Sequence, residues 1–170
     1  MPSADTFSIP IIGDWVKSHI AASTVSIDPF ARNNRWATHT NDLSPETSAE
    51  YHMEALEFLA TLHAAKVKAD LVIFDPPYSP RQISECYSQI GRQCTMQDTQ
   101  SKTWMEWRNA IALVCAQNAT VLSFGWNSVG MGKNRGFEPL EILLVCHGGA
   151  HNDTICMSEK HHHKDSFLFQ

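Results

Sequence analysis

Asp70-Leu71-Val72-Ile73-Phe74-Asp75-Pro76-Pro77-Tyr78 fixes the reading of everything around it. Leu71 to Phe74 form a short apolar run, rich in β-branched and aromatic residues, and read as a buried strand. Pro76 and Pro77 stop it: each fixes φ and lacks an N–H, so the ladder ends and the chain leaves in a rigid corner. The Pro76 carbonyl, Asp75 and Tyr78 are then presented beyond the carboxyl end of a strand, where ligands collect in open α/β sheets.

Outward from this strand, further β-branched or aromatic runs recur at Thr24 to Asp28, Ala37 to Leu43, Thr120 to Gly125, Leu140 to His147 and Thr154 to Glu159. Helical periodicity separates several of them. It is clearest from Ser44 to His63, where Ser44 stands as N-cap, Pro45 as first helical residue, and Met53, Leu56, Ala60 and His63 along one face. Lys102 to Ala116 repeats Trp104, Trp107, Ile111 and Val114 at helical spacing, and Gly13 to Ala21 makes a short opening helix. Alternation of strand and helix predicts an α/β layer with a mostly parallel sheet. The last two strands flank a Gly/Asn/Asp-rich stretch from Gly148 to Asp153 and are predicted to pair as an antiparallel hairpin. Too few residues separate the first two strands for a crossover helix, so the first crossover is reduced.

The chain has 170 residues, 43% apolar and 18% charged, which fits one folded domain, 1–170. The longest apolar stretch, Ala110 to Ala116, is far short of a membrane span. The first residues lack the basic and apolar segments of a secretion signal, and the five cysteines form no Cys-x-x-Cys pair, so a cytoplasmic protein with free thiols is expected. The formal net charge is −5, so a nucleic-acid partner would have to be held at a local site.

The residue types of the corner suit methylation of an exocyclic amine. Such a nitrogen is a poor nucleophile because its lone pair is delocalised into the ring. Acceptors on Asp75 and the Pro76 carbonyl can hold both amine hydrogens and favour a more tetrahedral nitrogen, while Tyr78 can stack on the base. Asp75-Pro76-Pro77-Tyr78 resembles the signature of S-adenosylmethionine-dependent amino-methyltransferases, most often adenine-N6 methylases of DNA, and the whole chain resembles a small phage- or prophage-type adenine methylase. That resemblance implies a Rossmann-like class I methyltransferase fold, S-adenosyl-L-methionine as cofactor, no metal and DNA as partner; larger relatives carry a separate target-recognition region, and no stretch of this sequence is long enough to be one. RNA adenine or cytosine N4 as the methylated group, and a catalytically weak nucleic-acid-binding accessory subunit, are the alternatives.

Two upstream segments extend the resemblance. Asp28-Pro29-Phe30-Ala31 is similar to the family's cofactor loop, implying that Asp28 approaches the methionyl amine and that Phe30 and Ala31 shape the turn, although Arg32-Asn33-Asn34 replaces the usual glycines. Asp42, ending the next strand, is implied to accept from the ribose hydroxyls, or else caps its own turn. Glu57-Phe58-Leu59 resembles the segment that borders the cofactor's adenine, or serves as helix core.

Downstream, Ser79 to Gln82 extend the catalytic loop, with Arg81 placed to meet a phosphate or carboxylate. The polar run from Gln93 to Lys102 is read as a flexible insertion closing over substrate. Trp126 and Asn127 follow a strand and are expected to wall the base pocket, Gly130, Gly132 and Gly136 to keep the next stretch mobile, and Lys133 and Arg135 to contact phosphates. His147, His151 and Asp153 are read as a turn rather than a metal site, and His161-His162-His163 as an exposed tail. The C-terminal hairpin and the tryptophan-bearing helix are the surfaces on which a homodimer would form.

Overall fold

Side chains alternate across the central strand. Leu71 and Ile73 face one apolar cluster, Val72 and Phe74 the other, and all four are buried. The computed structural model describes residues 6–95, 100–148 and 152–162. In it the strands β1 (Ser26–Asp28), β2 (His39–Thr40), β3 (Ala69–Phe74), β4 (Cys115–Gly125), β5 (Phe137–Val145) and β6 (Thr154–His161) form one sheet in the order β2-β1-β3-β4-β6-β5. The first four strands are parallel neighbours, and β6 pairs antiparallel with both β4 and β5. The mostly parallel sheet, the terminal antiparallel hairpin and the helix-free first crossover all agree with the sequence reading.

Helix α1 (Pro10–Ala21) covers one face with Ile12 and Val16. On the other lie α2 (Ala55–Ala64), α3 (Pro80–Gln89) and α4 (Ser101–Val114), which bury Phe58, Leu59, Ile83, Trp107 and Ile111 against Ile27, Val72 and Val121. Full burial of each large side chain contributes about 1.5–3 kcal/mol before entropy is subtracted.

Four expectations need correction. The helix predicted from Ser44 begins only at Ala55, because local polar bonds win over helix formation: Asp42 Oδ1 accepts the Ser44 N–H at 2.8 Å, Ser44 Oγ accepts the Glu46 N–H, and Tyr51 is drawn into a bridge with Asn41. Ser79 to Gln82 are not an extended loop but the start of α3, with Ser79 as N-cap to Gln82 and Pro80 in the first turn. Of the polar run taken as a flexible insertion, residues 96–99 lie outside the described residues, and Ser101 and Lys102 already belong to α4. His161 is not tail but the last residue of β6, stacked on Phe137 at 4.6 Å with Nδ1 3.0 Å from the Ala116 carbonyl; His163 lies outside the described residues, as does His151 in the hairpin turn.

The connection from β4 to β5, residues 126–136, is shorter than the dozen or so residues that usually link parallel strands through a helix, and it holds only a 3₁₀ turn at Lys133–Arg135. Among the described residues, no helix therefore covers the outer face of β5. Glu141 and Leu143 turn toward α1, where Glu141 accepts the indole N–H of Trp15 at 2.9 Å, while Leu140, Ile142 and Leu144 alternate to the other side and are exposed.

The glycine-rich loop, expected to be mobile, is hydrogen-bonded to β6. Glu159, 1% exposed on β6, accepts the N–H groups of Met131 at 2.7 Å and Gly132 at 3.3 Å and the Ser123 hydroxyl at 3.4 Å. A Cβ at Gly130, where φ is +54°, would stand 2.5 Å from the same carboxylate. Glu159→Ala strands two backbone donors and is expected to cost about 3 kcal/mol in urea unfolding, with Glu159→Gln costing less because it retains one acceptor.

Candidate active site

The carboxyl ends of β1, β2 and β3 bring three carboxylates to one edge. Asp28, last in β1, is 2% exposed, and its Oδ1 accepts the Phe30 N–H at 3.0 Å. Burial raises its pKa well above the ordinary carboxyl value; the Phe30 bond opposes the shift, and the charges of Asp75 and Asp42 add to it. Among the described residues this buried acid has one neutral donor, two acidic neighbours and no ion-pair partner. This edge is therefore chemically suited to a positively charged ligand group.

The loop after β1 is stitched to the loop after β2. The Ala31 N–H donates to the Asn41 carbonyl at 2.8 Å, and the Asn41 side-chain amide donates to the Pro29 and Met53 carbonyls while accepting the Met53 N–H. Asn41 is 1% exposed, and this role was not read from the sequence. Arg32 takes a left-handed conformation, φ +51°, so the turn keeps a shape that a glycine would adopt without strain. Its N–H donates to Asp42 Oδ2 at 3.2 Å, so Asp42 bonds both Arg32 and Ser44 and does act as a local cap. Phe30 packs between Trp107 and Phe74, with ring centroids at 5.0 and 6.1 Å. Phe58 and Leu59 are core; Glu57 lies in the first turn of α2.

Helix α3 lies near these loops. Burial raises the thiol pKa of Cys86, which lies within electrostatic reach of Arg32 and Asp42. Tyr87 donates to Glu54 at 3.1 Å and Arg92 pairs with the same carboxylate, which ties the helix to the start of α2.

On the other side of the corner is a cleft lined by Pro76, Tyr78, Trp104, Arg108, Trp126 and Asn127, with Phe74, Ser123 and Phe124 at the strand ends. Of the site residues singled out in the sequence, Pro76, Tyr78, Trp126 and Asn127 line this cleft; Trp104 and Arg108, which α4 supplies, were not among them. Trp104 donates its indole N–H to the Pro77 carbonyl at 3.0 Å and so braces the corner. The Tyr78 hydroxyl donates to Asp75 Oδ1, and its ring meets Trp126 edge-on at 5.7 Å. Burial first, then the neighbouring Asp75, raises the Tyr78 pKa well above that of a free phenol, so the hydroxyl stays protonated and donates.

Three predicted contacts do not line the cleft. Arg81 points from α3 to Glu85 at 2.8 Å with its side chain 79% exposed. Lys133 is exposed on the 3₁₀ turn. Arg135 is engaged in holding its loop, donating to Asn109 Oδ1 at 2.7 Å and to the Met131 carbonyl at 2.9 Å. Among the described residues, no group of three or more His, Cys, Asp or Glu side chains is placed to hold a metal ion, and no helix is long and apolar enough to cross a membrane.

No protein-family model and no curated protein matches the sequence. Solved structures do match in fold. The N-methyltransferase NodS from Bradyrhizobium japonicum WM9, in complex with S-adenosyl-L-homocysteine, superposes with a TM-score of 0.58 at 7% identity, over 94% of this chain and 89% of that one. SMU.776 complexed with SAH gives 0.57 at 11% identity, over 86% and 48%, and TrmN from Thermus thermophilus gives 0.57 at 10% identity, over 89% and 48%. The fold is thus the Rossmann-like class I methyltransferase fold, and this chain spans about half the length of the latter two proteins.

The buried carboxyl of Asp28 makes a pH prediction. With its folded-state pKa raised, the native protein binds more protons than the unfolded chain above about pH 3.9, so stability falls as pH rises from there through the raised value. Asp28→Asn keeps an acceptor for the Phe30 N–H and removes that loss. Thermal unfolding is expected to show the variant more stable than wild type at neutral pH, with the difference closing as pH falls below about 4.

Proposed function

We propose that this protein transfers the methyl group of S-adenosyl-L-methionine to the N6 amine of adenine in DNA. The observation that carries this reading is the Asp75-Pro76-Pro77-Tyr78 corner, which stands between an acidic edge on one side and an aromatic cleft on the other. The fold shared with NodS, crystallised with S-adenosyl-L-homocysteine, and with SMU.776 supports a methyltransferase.

S-adenosylmethionine carries, when bound, a methyl group on a cationic sulfonium together with a methionyl ammonium. Asp28 offers the buried carboxyl that a cation would satisfy, Pro29, Phe30 and Ala31 form the turn beside it, and Asp42 retains lone pairs for hydroxyl donors. On the cleft side, Asp75 Oδ and the Pro76 carbonyl accept the two amine hydrogens, which localises the nitrogen lone pair. Tyr78 gives up its bond to Asp75 as the amine arrives and lays its ring on the base, with Trp126 and Asn127 as the wall. Alignment of nitrogen and methyl then supplies most of the rate. In a duplex the base must first leave the stack, at a cost of a few kcal/mol. Arg81, Lys133 and Arg135 lie outside the cleft, where only the strand flanking the base would reach them.

Transfer of tritiated methyl to single-stranded DNA, duplex DNA and RNA, with identification of the labelled nucleoside, tests this. N6-methyladenine in DNA is expected, and Asp75→Ala is expected to lower transfer roughly 100-fold or more. Label in cytosine N4 or only in RNA would replace the proposed substrate. Absence of heat on titration with S-adenosylmethionine would instead indicate an accessory binding module.

Tyr78 separates stacking from hydrogen bonding. Tyr78→Phe is expected to keep most of kcat/KM, because the ring remains and the bond to Asp75 is one that substrate breaks. Tyr78→Ala is expected to lose roughly 10- to 100-fold, the value of about 1–3 kcal/mol of base stacking.

A further inference from the structure

Arg108 enters the cleft from α4 beside the corner, with its guanidinium carbon 6.0 Å from the centre of the Phe74 ring. Its Nε–H is buried and has no hydrogen-bond partner. Among the described residues no carboxylate lies within ion-pair distance of it. Glu159, whose charge reaches Arg108, receives the Met131 and Gly132 N–H groups instead, and Asn127 Oδ1, in the same cleft, receives the Val129 N–H at 3.1 Å. Burial and the nearby Arg135 lower the pKa of Arg108, and the charge of Glu159 opposes them; an arginine side chain stays cationic in proteins. A buried charged donor left without an acceptor is costly, and such groups persist where a ligand completes them.

We infer that Arg108 is a base-contacting residue that donates its Nε–H to a ring nitrogen of the target base flanking the exocyclic amine. This deepens the proposed function and rests on it. Two observations favour a base edge over a backbone phosphate. Nε is itself shut off from solvent, in a cleft whose other walls are the strand ends at Phe74, Ser123 and Phe124 and the rings of Tyr78, Trp104 and Trp126. A planar heterocycle satisfies both elements of that lining, with its faces on the rings and an in-plane acceptor toward the guanidinium. In adenine the amine lies between two such acceptors, N1 and N7, so the residue that reads the ring nitrogen also sets the rotation of the base relative to Asp75. Amino-bearing rings without an acceptor there would be refused.

The test uses the full-length protein and oligonucleotides in which the target adenine is replaced by 1-deaza- or 7-deazaadenine. Arg108→Met keeps the apolar stem over Phe74 and removes the donor. It is expected to bind S-adenosylmethionine and to melt at or above the wild-type temperature, because the unpaired donor is gone, while kcat/KM for adenine falls roughly 10- to 100-fold. One of the two deaza substrates is expected to impose a similar loss on wild type and little further loss on Arg108→Met, which identifies the nitrogen contacted. Arg108→Lys, which keeps the charge but lacks Nε, is expected to recover only a minor part. Full recovery by Lys with no sensitivity to either deaza substitution would assign Arg108 to a phosphate and overturn the inference, as would an Arg108→Met enzyme as active as wild type; the methyltransferase reading survives both. If wild type binds S-adenosylmethionine yet methylates no nucleic acid, the proposed substrate fails and this inference falls with it.

Discussion

Pairing between β3 and β4 runs as far as Phe74 and Ser123 and then stops, because the residues that would continue β3 include two prolines with no N–H to donate. β4 goes on, but from Phe124 and Gly125 it pairs only with β6. The sheet is thereby split at its carboxyl edge between two strands that are hydrogen-bonded just below. Trp104 holds the Pro77 carbonyl, and Glu159 on β6 fixes the loop beyond Gly125, so both lips of the split are anchored from the rest of the fold. A pair of missing donors makes the opening, and two buried polar contacts keep it in shape.

The two sides of the corner differ in charge. Toward β1 and β2 the polar groups are Asp28, Asp42 and Asp75; toward β4 the cleft holds Arg108 among aromatic rings. Neither the Asp28 carboxyl nor the Arg108 Nε reaches solvent, so a ligand group meeting either does so with little screening by water. A cationic ligand group is favoured on the first side and a neutral or anionic acceptor on the second. On the proposed function, methyl donor and base are thus sorted to opposite sides of the same four residues before any specific hydrogen bond is formed.

Elements whose side chains carried one dominant period were legible from sequence. The strand ending at Phe74, the reduced first crossover and the terminal hairpin needed only apolar runs and turn residues. The corner, Trp126 and Asn127 followed from being just past strand ends. Failure came where polar side chains compete with the backbone. Asp42 and Ser44 replaced the first turns of a helix with their own turn, and the Gly130 to Gly136 stretch looked loose because its anchor, Glu159, lies far along the chain on another strand. The Ser79-Pro80 start of α3 was a readable capping signal, reinforced by Ile83 and Tyr87 four apart on its buried side. Trp104 and Arg108 were hidden for a further reason: their helical period marks a face, but only the tertiary packing of α4 shows that one end of that face borders the split in the sheet.

Charge constrains how a nucleic acid would be held. On the proposed function, with a net charge of −5 and Arg135 committed to Asn109 and Met131, phosphate neutralisation is left mainly to Arg81 and Lys133 outside the cleft and would contribute little to affinity. On the proposed function, stacking on Tyr78 and Trp126 and donation from Arg108 would act only on a base already outside its helix, and would carry no length-dependent electrostatic term. Binding built this way is weak toward an intact duplex, where the cost of extrusion is not offset by backbone contacts, and strongest where the base is unpaired or held out by another molecule. On the same reading, with little attraction spread along the strand, discrimination would be made at the single base that enters, where the buried Nε of Arg108 stands.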